Sequence, residues 1–246
     1  MENSMPWELT IDGDLAALRW VARGTSEVSP RVVEVETLHR LEWDGLDKLG
    51  PELHDEVVAV ALQHLSALDG VASVLLCRHS QFHLIDVAFR RPDGGRIVFC
   101  SVQDALAISV SVDAELTVTG ADGQTKRATT HDPIHRLIAL AEIDETVAKV
   151  LRLSRSDLQD WPALYRLYEV LLAAEGGPAK LASLGGVTRQ QLQSFAATAN
   201  SPALTGDASR HGVQSGSPPS RAISMPEAVQ LLRHLCRSWL LSRVSP

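Results

Sequence analysis

The chain has 246 residues, 45% of them hydrophobic, enough for a sizeable core in one large domain or two small ones. Its formal net charge of −7 argues against broad, non-specific nucleic-acid binding. Three cysteines (Cys77, Cys100 and Cys236) with no CxxC pair argue against a disulfide scaffold and for a reducing cytoplasm.

The opening "MENSMPWELTIDGD" lacks the basic and apolar regions of a signal peptide. No apolar run is expected to reach the roughly 20 residues that span a bilayer, so the expectation is a soluble cytoplasmic protein with no membrane partner. "WELTI" alternates like a strand, and "DLAALRWVARG" has helical spacing ended by Gly24. "PELHDEVVAVALQHLSALDG" predicts a stronger helix. Pro51 suits its first turn, Leu53, Val57, Val58, Ala61, Leu62, Leu65 and Leu68 form its apolar face, and Gly70 suits the position just past its end.

Strand signals follow in "VASVLLC", "FHLIDVAF", "RIVFC", "LAISVSV" and "ELTVTG". Arg91-Pro92-Asp93-Gly94-Gly95 and Ala121-Asp122-Gly123 are turn chemistry, so the reading is an antiparallel meander. "DPIHRLIALAEIDETVAKVLRL" then reads as one helix, with Asp132 as N-cap and Pro133 at its first position.

From Asp157 onward the chain reads as all-helical. This part carries eight basic against six acidic residues, a balance of +2, which leaves −9 of the total −7 on the first 156 residues. "DWPALYRLYEVLLAAEGG" starts at Asp160 and stops at Gly176-Gly177. "TRQQLQSFAATAN" opens with Thr188 and Gln191, a capping-box pattern, and "SMPEAVQLLRHLCRSWLL" repeats it with Ser224 and Glu227. The last helix has Ala228, Leu231, Leu232, Leu235, Cys236 and Trp239 on one face, and Gln230, Arg233 and Arg237 opposite. The fold class is therefore α+β: a mixed domain with an antiparallel sheet over residues 1–155, then a helical bundle over 156–246 with a long polar loop at 200–223. The later part of that loop, Val213 to Arg221, is poor in apolar residues and is expected to be mobile.

The loop carries the candidate chemistry in "TANSPALTGDASRHG". Pro202 disfavours helix at Ser201, and Gly206 frees the chain to turn. Asp207 can cap a short helical turn and, three and four residues on, pair with Arg210 or His211. A carboxylate on His211 would fix its tautomer, as a general base needs and as a structural histidine often has. On the helix before, Tyr165, Tyr168, Glu169 and Leu172 share a face, and Glu169 needs a partner there. Arg210 is the expected one, against the plainer alternative that Glu169 pairs with Arg166 or faces water. The candidate binding residues are Glu169, Asn200, Asp207 and Tyr165; the candidate catalytic pair is His211 and Arg210. The competing reading is a loop pinned structurally by Asp207 and Arg210.

Cys77, His79, His83 and Cys100 match no standard zinc spacing, and alternate strand faces separate them, so no metal or cofactor is expected. His131 and His135 lie four apart without the glutamate of HExxH. Phosphate-loop, dinucleotide, hydrolase-elbow and kinase motifs are missing.

The segments "DWPALYRLYEVL", "SFAATANSPALTGDASRHG" and "SMPEAVQLLRHLCRSWL" resemble an uncharacterised bacterial protein family with an antiparallel, HEPN-like helical C-terminal domain, over roughly residues 157–243. The resemblance implies a binding, regulatory or dimerising module of the kind found in antiphage and toxin–antitoxin systems. It also implies a second function, a metal-independent ribonuclease with His211 as base and Arg210 stabilising the phosphorane. In nucleolytic members the Arg and His are several residues apart on one helical face, whereas Arg210 and His211 are adjacent. The partner implied is a protein or RNA, with a homodimer as one form of the assembly. A third reading is an interaction protein whose polar loop is purely structural.

Overall fold

The computed structural model describes residues 5–99, 118–119, 125–126, 132–155, 158–213 and 221–244. The fold is α+β, with an antiparallel five-stranded sheet in the N-terminal part and most helices in the C-terminal part. Two compact units are formed. One comprises residues 1–69 and 80–138, the other 70–79 and 139–246.

In the first unit, β1 (Trp7–Gly13) is the centre of the sheet and is buried along most of its length. It pairs antiparallel with β3 (Leu38–Glu42) on one side and β4 (Phe82–Arg90) on the other; β2 (Arg31–Val35) and β5 (Arg96–Phe99) complete the order β2-β3-β1-β4-β5. The β4–β5 connection is the expected turn: Arg91 N–H donates to the Gly95 carbonyl, and Gly94 adopts φ +86°. The β2–β3 hairpin was not foreseen. Its two-residue loop, Glu36-Thr37, holds Glu36 at φ +56° in place of the Asn or Gly that marks such turns. Helix α1 (Leu15–Thr25) starts on Asp14, whose carboxylate accepts from Ala17 N–H at 2.8 Å. Gly24 lies inside α1 instead of ending it.

Helix α2 runs from His54 to Leu75, past Gly70, so "VASVLLC" is largely helical and no strand. Gly70 is there for packing: a Cβ on it would sit 2.6 Å from the Leu151 carbonyl oxygen. The helix ends instead in a Schellman arrangement, with Arg78 N–H on the Ser73 carbonyl, Cys77 N–H on the Val74 carbonyl, and Cys77 left-handed at φ +52°. Val57, Ala61, Leu65 and Leu68 are buried as expected, but Leu62 is 38% exposed. By length and composition alone Pro51–Leu75 is long and apolar enough to cross a membrane, which corrects the expectation that no run reaches that length; 61% of the window is buried within the protein.

Of the remaining expected strands, Val118–Thr119 (β6) pairs with Thr125–Lys126 (β7). "LAISVSV" and Ala121-Asp122-Gly123 lie outside the described residues, as do Cys100 and His131. The segment from Asp132 forms two helices, not one: α3 (Asp132–Ile143) and α4 (Glu145–Ser154). Asp144 leaves helical geometry and caps α4, accepting from Thr146 and Val147 N–H.

The second unit holds α5 (Trp161–Glu175), α6 (Pro178–Gly185), α7 (Arg189–Ala199), a single turn α8 (Pro202–Thr205) and α9 (Met225–Val244). The caps are those the sequence announces: Asp160 on α5, left-handed Gly176 after it, and the Thr188–Gln191 box on α7. Ser224 and Glu227 form the same box at α9, and the Ser224 hydroxyl and N–H hold the Glu227 carboxyl below its usual range. Helix α6 was not foreseen. The core joins Leu164, Leu167 and Leu171 of α5 to Phe195 of α7 and Leu232, Leu235 and Trp239 of α9.

Candidate functional site

The site is built on α5 and the C-terminal end of α7. Trp161, Tyr165 and Tyr168 of α5 surround Phe195 of α7, with Tyr165 stacked on it at 6.2 Å and Tyr168 edge-on at 5.3 Å. Tyr168 is 5% exposed, and burial, with Tyr165 adding, lifts its hydroxyl above the usual tyrosine range. Asn200 terminates α7 with its N–H on the Ala196 carbonyl; Pro202 opens α8 directly after. Gly206 turns the chain at φ +59°, ψ −140°, a region that glycine enters without steric cost.

The loop then returns to α7. Arg210 N–H donates to the Ala199 carbonyl at 2.9 Å, and the Ser209 hydroxyl donates to the same oxygen at 3.4 Å. Further along, Ile223 N–H donates to Thr198 Oγ1 at 3.1 Å, while that hydroxyl donates to the Ser194 carbonyl. Both ends of the loop are thereby tied to the last turn of α7. Sequence reading missed Thr198, Ala199, Ser209 and Phe195 in this role; a threonine four residues before a proline at a helix end is the one available signal.

The expected ion pair between Glu169 and Arg210 is present, with Nη2 donating to Oε1 at 2.8 Å. The Arg210 guanidinium also lies over the Tyr165 ring, 4.1 Å from its centroid. Arg166, the alternative partner, instead donates to the Pro162 carbonyl. Thus Glu169, Tyr165 and Arg210 come together, on one face of α5.

Asp207 and His211 do not join them. The turn Gly206–Ala208 is a 3-10 turn preceded by Thr205, which makes no side-chain cap bond, and Ser209 is extended at ψ 148°. That carries Arg210 and His211 off the turn, so the three- and four-residue spacing from Asp207 no longer brings side chains together. Asp207 is exposed and makes no ion pair with Arg210 or His211 among the described residues. His211 is exposed too, and among the described residues it is held through its backbone N–H on Ser209 Oγ at 3.3 Å. The Asn200 carboxamide oxygen is shielded from solvent and has no hydrogen-bond partner among the described residues. Of the stretch expected to be mobile, only Val213 and Arg221 are described; both are exposed.

No group of three or more His, Cys, Asp or Glu side chains is gathered for a metal among the described residues. Set beside known protein families, curated proteins and solved structures, the chain matches none of them.

Proposed function

We propose that the chain is a binding or regulatory module of a bacterial cytoplasmic system, and that it meets its partner through the loop from Asn200 to Val213. The observation that supports this reading is the occupation of Arg210. Its guanidinium is committed to Glu169 and to the Tyr165 ring, so it serves to fix the loop on α5. What the fixed loop turns outward is mixed and accessible: Leu204 at 42% exposure, Val213 at 80%, and the side chains of Asp207 and His211. The setting in antiphage or toxin–antitoxin systems rests solely on the sequence resemblance of residues 157–243 to HEPN-like domains.

A ribonuclease is the second reading, favoured by one observation, the exposed His211 ring. It requires Arg210 to leave Glu169 and meet a phosphate, at the cost of both contacts. One experiment separates the two. A photo-crosslinking amino acid is placed at Leu204, at Val213 and, as a control, at exposed Ile143. The purified protein is assayed in parallel for RNA cleavage in chelator. A discrete protein adduct from positions 204 and 213, absent from 143, with no cleavage, is the expected result. Equal labelling from all three positions sinks the binding surface, and chelator-resistant cleavage lost in His211→Ala replaces it with the enzyme.

A further inference from the structure

We propose that Arg40, Arg90 and Arg96, gathered around Glu8 on the polar face of the five-stranded sheet, form a binding site for a carboxylate group. Alternation along β1 puts Trp7, Leu9 and Ile11 on one face and Glu8, Thr10 and Asp12 on the other. The register then sets Arg40 of β3 beside Thr10, Ala88 of β4 beside Glu8, and Arg90 of β4 directly opposite Arg96 of β5. Two like charges opposed across a strand pair repel. Glu8 offsets that repulsion. Its side chain is 9% exposed, and each carboxylate oxygen is taken by a different arginine. Arg90 donates to Oε1 through Nε, at 3.0 Å, and through Nη2; Arg96 Nε donates to Oε2 at 2.9 Å. Arg96 Nη2 donates onward to Asp86 Oδ2 at 2.6 Å. Burial by itself would raise the Glu8 carboxyl, but the hydrogen bonds from Arg90 and Arg96, with the charges of Arg90 and Arg40, bring it below its usual range.

Glu8 thus fixes two guanidinium groups by the same edge, the one that carries Nε and Nη2. The Nη1 amine of each lies on the other edge and makes no hydrogen bond among the described residues, and the two side chains are 47% and 42% exposed. Arg40 completes the group. It forms no ion pair among the described residues, with Asp12 and Asp86 of the same face included, and its Nε is shielded from solvent without an acceptor. A donor left so is costly, and an incoming oxyanion on the rest of the fork offsets that cost. Arg31, on the outer strand, is already matched by Glu42 at 2.8 Å. Within the cluster three arginines meet two carboxylates, Glu8 and Asp86, so one positive charge is unmatched in the acidic part of the chain. A carboxylate carries the single charge that is missing, and its two oxygens match the fork of a guanidinium. A polyanion does not suit the site, because the acidic surroundings repel it.

The test uses the full chain labelled with nitrogen-15 and titrated, at ionic strength held constant with sodium chloride, with sodium acetate, a short glutamate-rich peptide, sodium phosphate and a single-stranded RNA oligomer. Backbone amide shifts are followed by NMR. Saturable shifts at Thr10, Arg40, Arg90 and Arg96 are expected with acetate and with the peptide. Similar affinities assign the site to a small organic acid, and a peptide at least tenfold tighter assigns it to an acidic protein segment. Arg40→Gln should weaken both at least tenfold with the rest of the spectrum unchanged, while Arg31→Gln should leave them as they are. If Arg40→Gln does not fold, Arg40→Lys, which keeps the charge and loses the fork, should weaken binding several-fold. Shifts that rise without saturation, binding indifferent to the change at Arg40, or tighter binding of phosphate or RNA than of either carboxylate probe would overturn the proposal.

Discussion

Removing the Arg210 side chain should cost stability by an amount the geometry sets. Two contacts are lost. The pair with Glu169 joins side chains that are 33% and 46% exposed, so it is screened and contributes about 0.2–1 kcal/mol. The guanidinium over Tyr165, at an edge open to solvent, adds about 0.5–1 kcal/mol. The backbone bond from Arg210 N–H to Ala199 survives substitution. Arg210→Ala should therefore lower the unfolding free energy by about 0.7–2 kcal/mol, the combined size of the two contacts. Urea unfolding followed by tryptophan fluorescence is the assay, since Trp161 and Trp239 are both buried in this unit. A double-mutant cycle with Glu169→Ala should return a coupling of about 0.5 kcal/mol that shrinks in high salt, and a cycle with Tyr165→Leu one that survives salt better. A loss within about 0.3 kcal/mol of zero would show that these contacts do not hold the loop, and a coupling to Glu169 indifferent to salt would refute the exposed-pair reasoning.

Three further outcomes follow from single positions. Gly70→Ala, mid-helix, should destabilise by about 1–3 kcal/mol, where helix propensity alone predicts a gain near 1 kcal/mol, because the added carbon meets the Leu151 carbonyl; the sign is read from chemical unfolding. Glu36→Gly should stabilise by about 1 kcal/mol by relieving a left-handed φ in a two-residue hairpin, measured the same way. His64 is buried, its Nε2 has no partner among the described residues, and burial, with His135 adding, lowers its pKa to about 4. Its folded pKa lies below its unfolded value near 6.5, so the unfolded chain binds the extra proton. Stability should fall as pH drops from about 6.5 towards 4, by about 3 kcal/mol for this one group, and His64→Leu should flatten that part of the curve.

What the sequence disclosed was what local chemistry decides. Asp160, Thr188 with Gln191, and Ser224 with Glu227 announce helix starts because a side-chain oxygen three residues from an orphan N–H has one favourable use. The α9 stripe from Ala228 to Trp239 was readable because its polar and apolar faces are cleanly divided. Gly70 misled because a glycine after an apolar stripe means either a helix end or a close approach, and only the distant Leu151 backbone distinguishes them. β2 and β3 were hidden because Arg31, Glu34, Arg40 and Glu42 interrupt their alternation and Glu36-Thr37 lacks turn residues. At the loop, Glu169 and Arg210 could be matched by charge across 41 residues, since few other partners were at hand. The anchoring of Arg210 and Ile223 on α7 could not, because it runs through backbone groups that every residue possesses.

His211 separates local from tertiary logic most sharply. Spacing alone suggests that Asp207 holds it, and on that basis His211→Ala should lower stability by stranding a carboxylate, a cost of about 1–3 kcal/mol when the group is buried. The fold removes both premises. Ser209 is extended, so Asp207 and His211 leave their common turn, and both side chains lie in solvent. Asp207 therefore keeps its hydration whether or not an imidazole is present, and the one hydrogen bond at His211 among the described residues is made by its backbone N–H, which alanine retains. His211→Ala should then change the unfolding free energy by less than about 0.5 kcal/mol, as expected of a surface substitution. The same holds for Asp207→Asn, and the two changes should show no coupling in a double-mutant cycle. A loss above 1 kcal/mol in either variant, or a measurable coupling between them, would return His211 to a structural role. A neutral result leaves its exposed ring available for contact with whatever meets the loop.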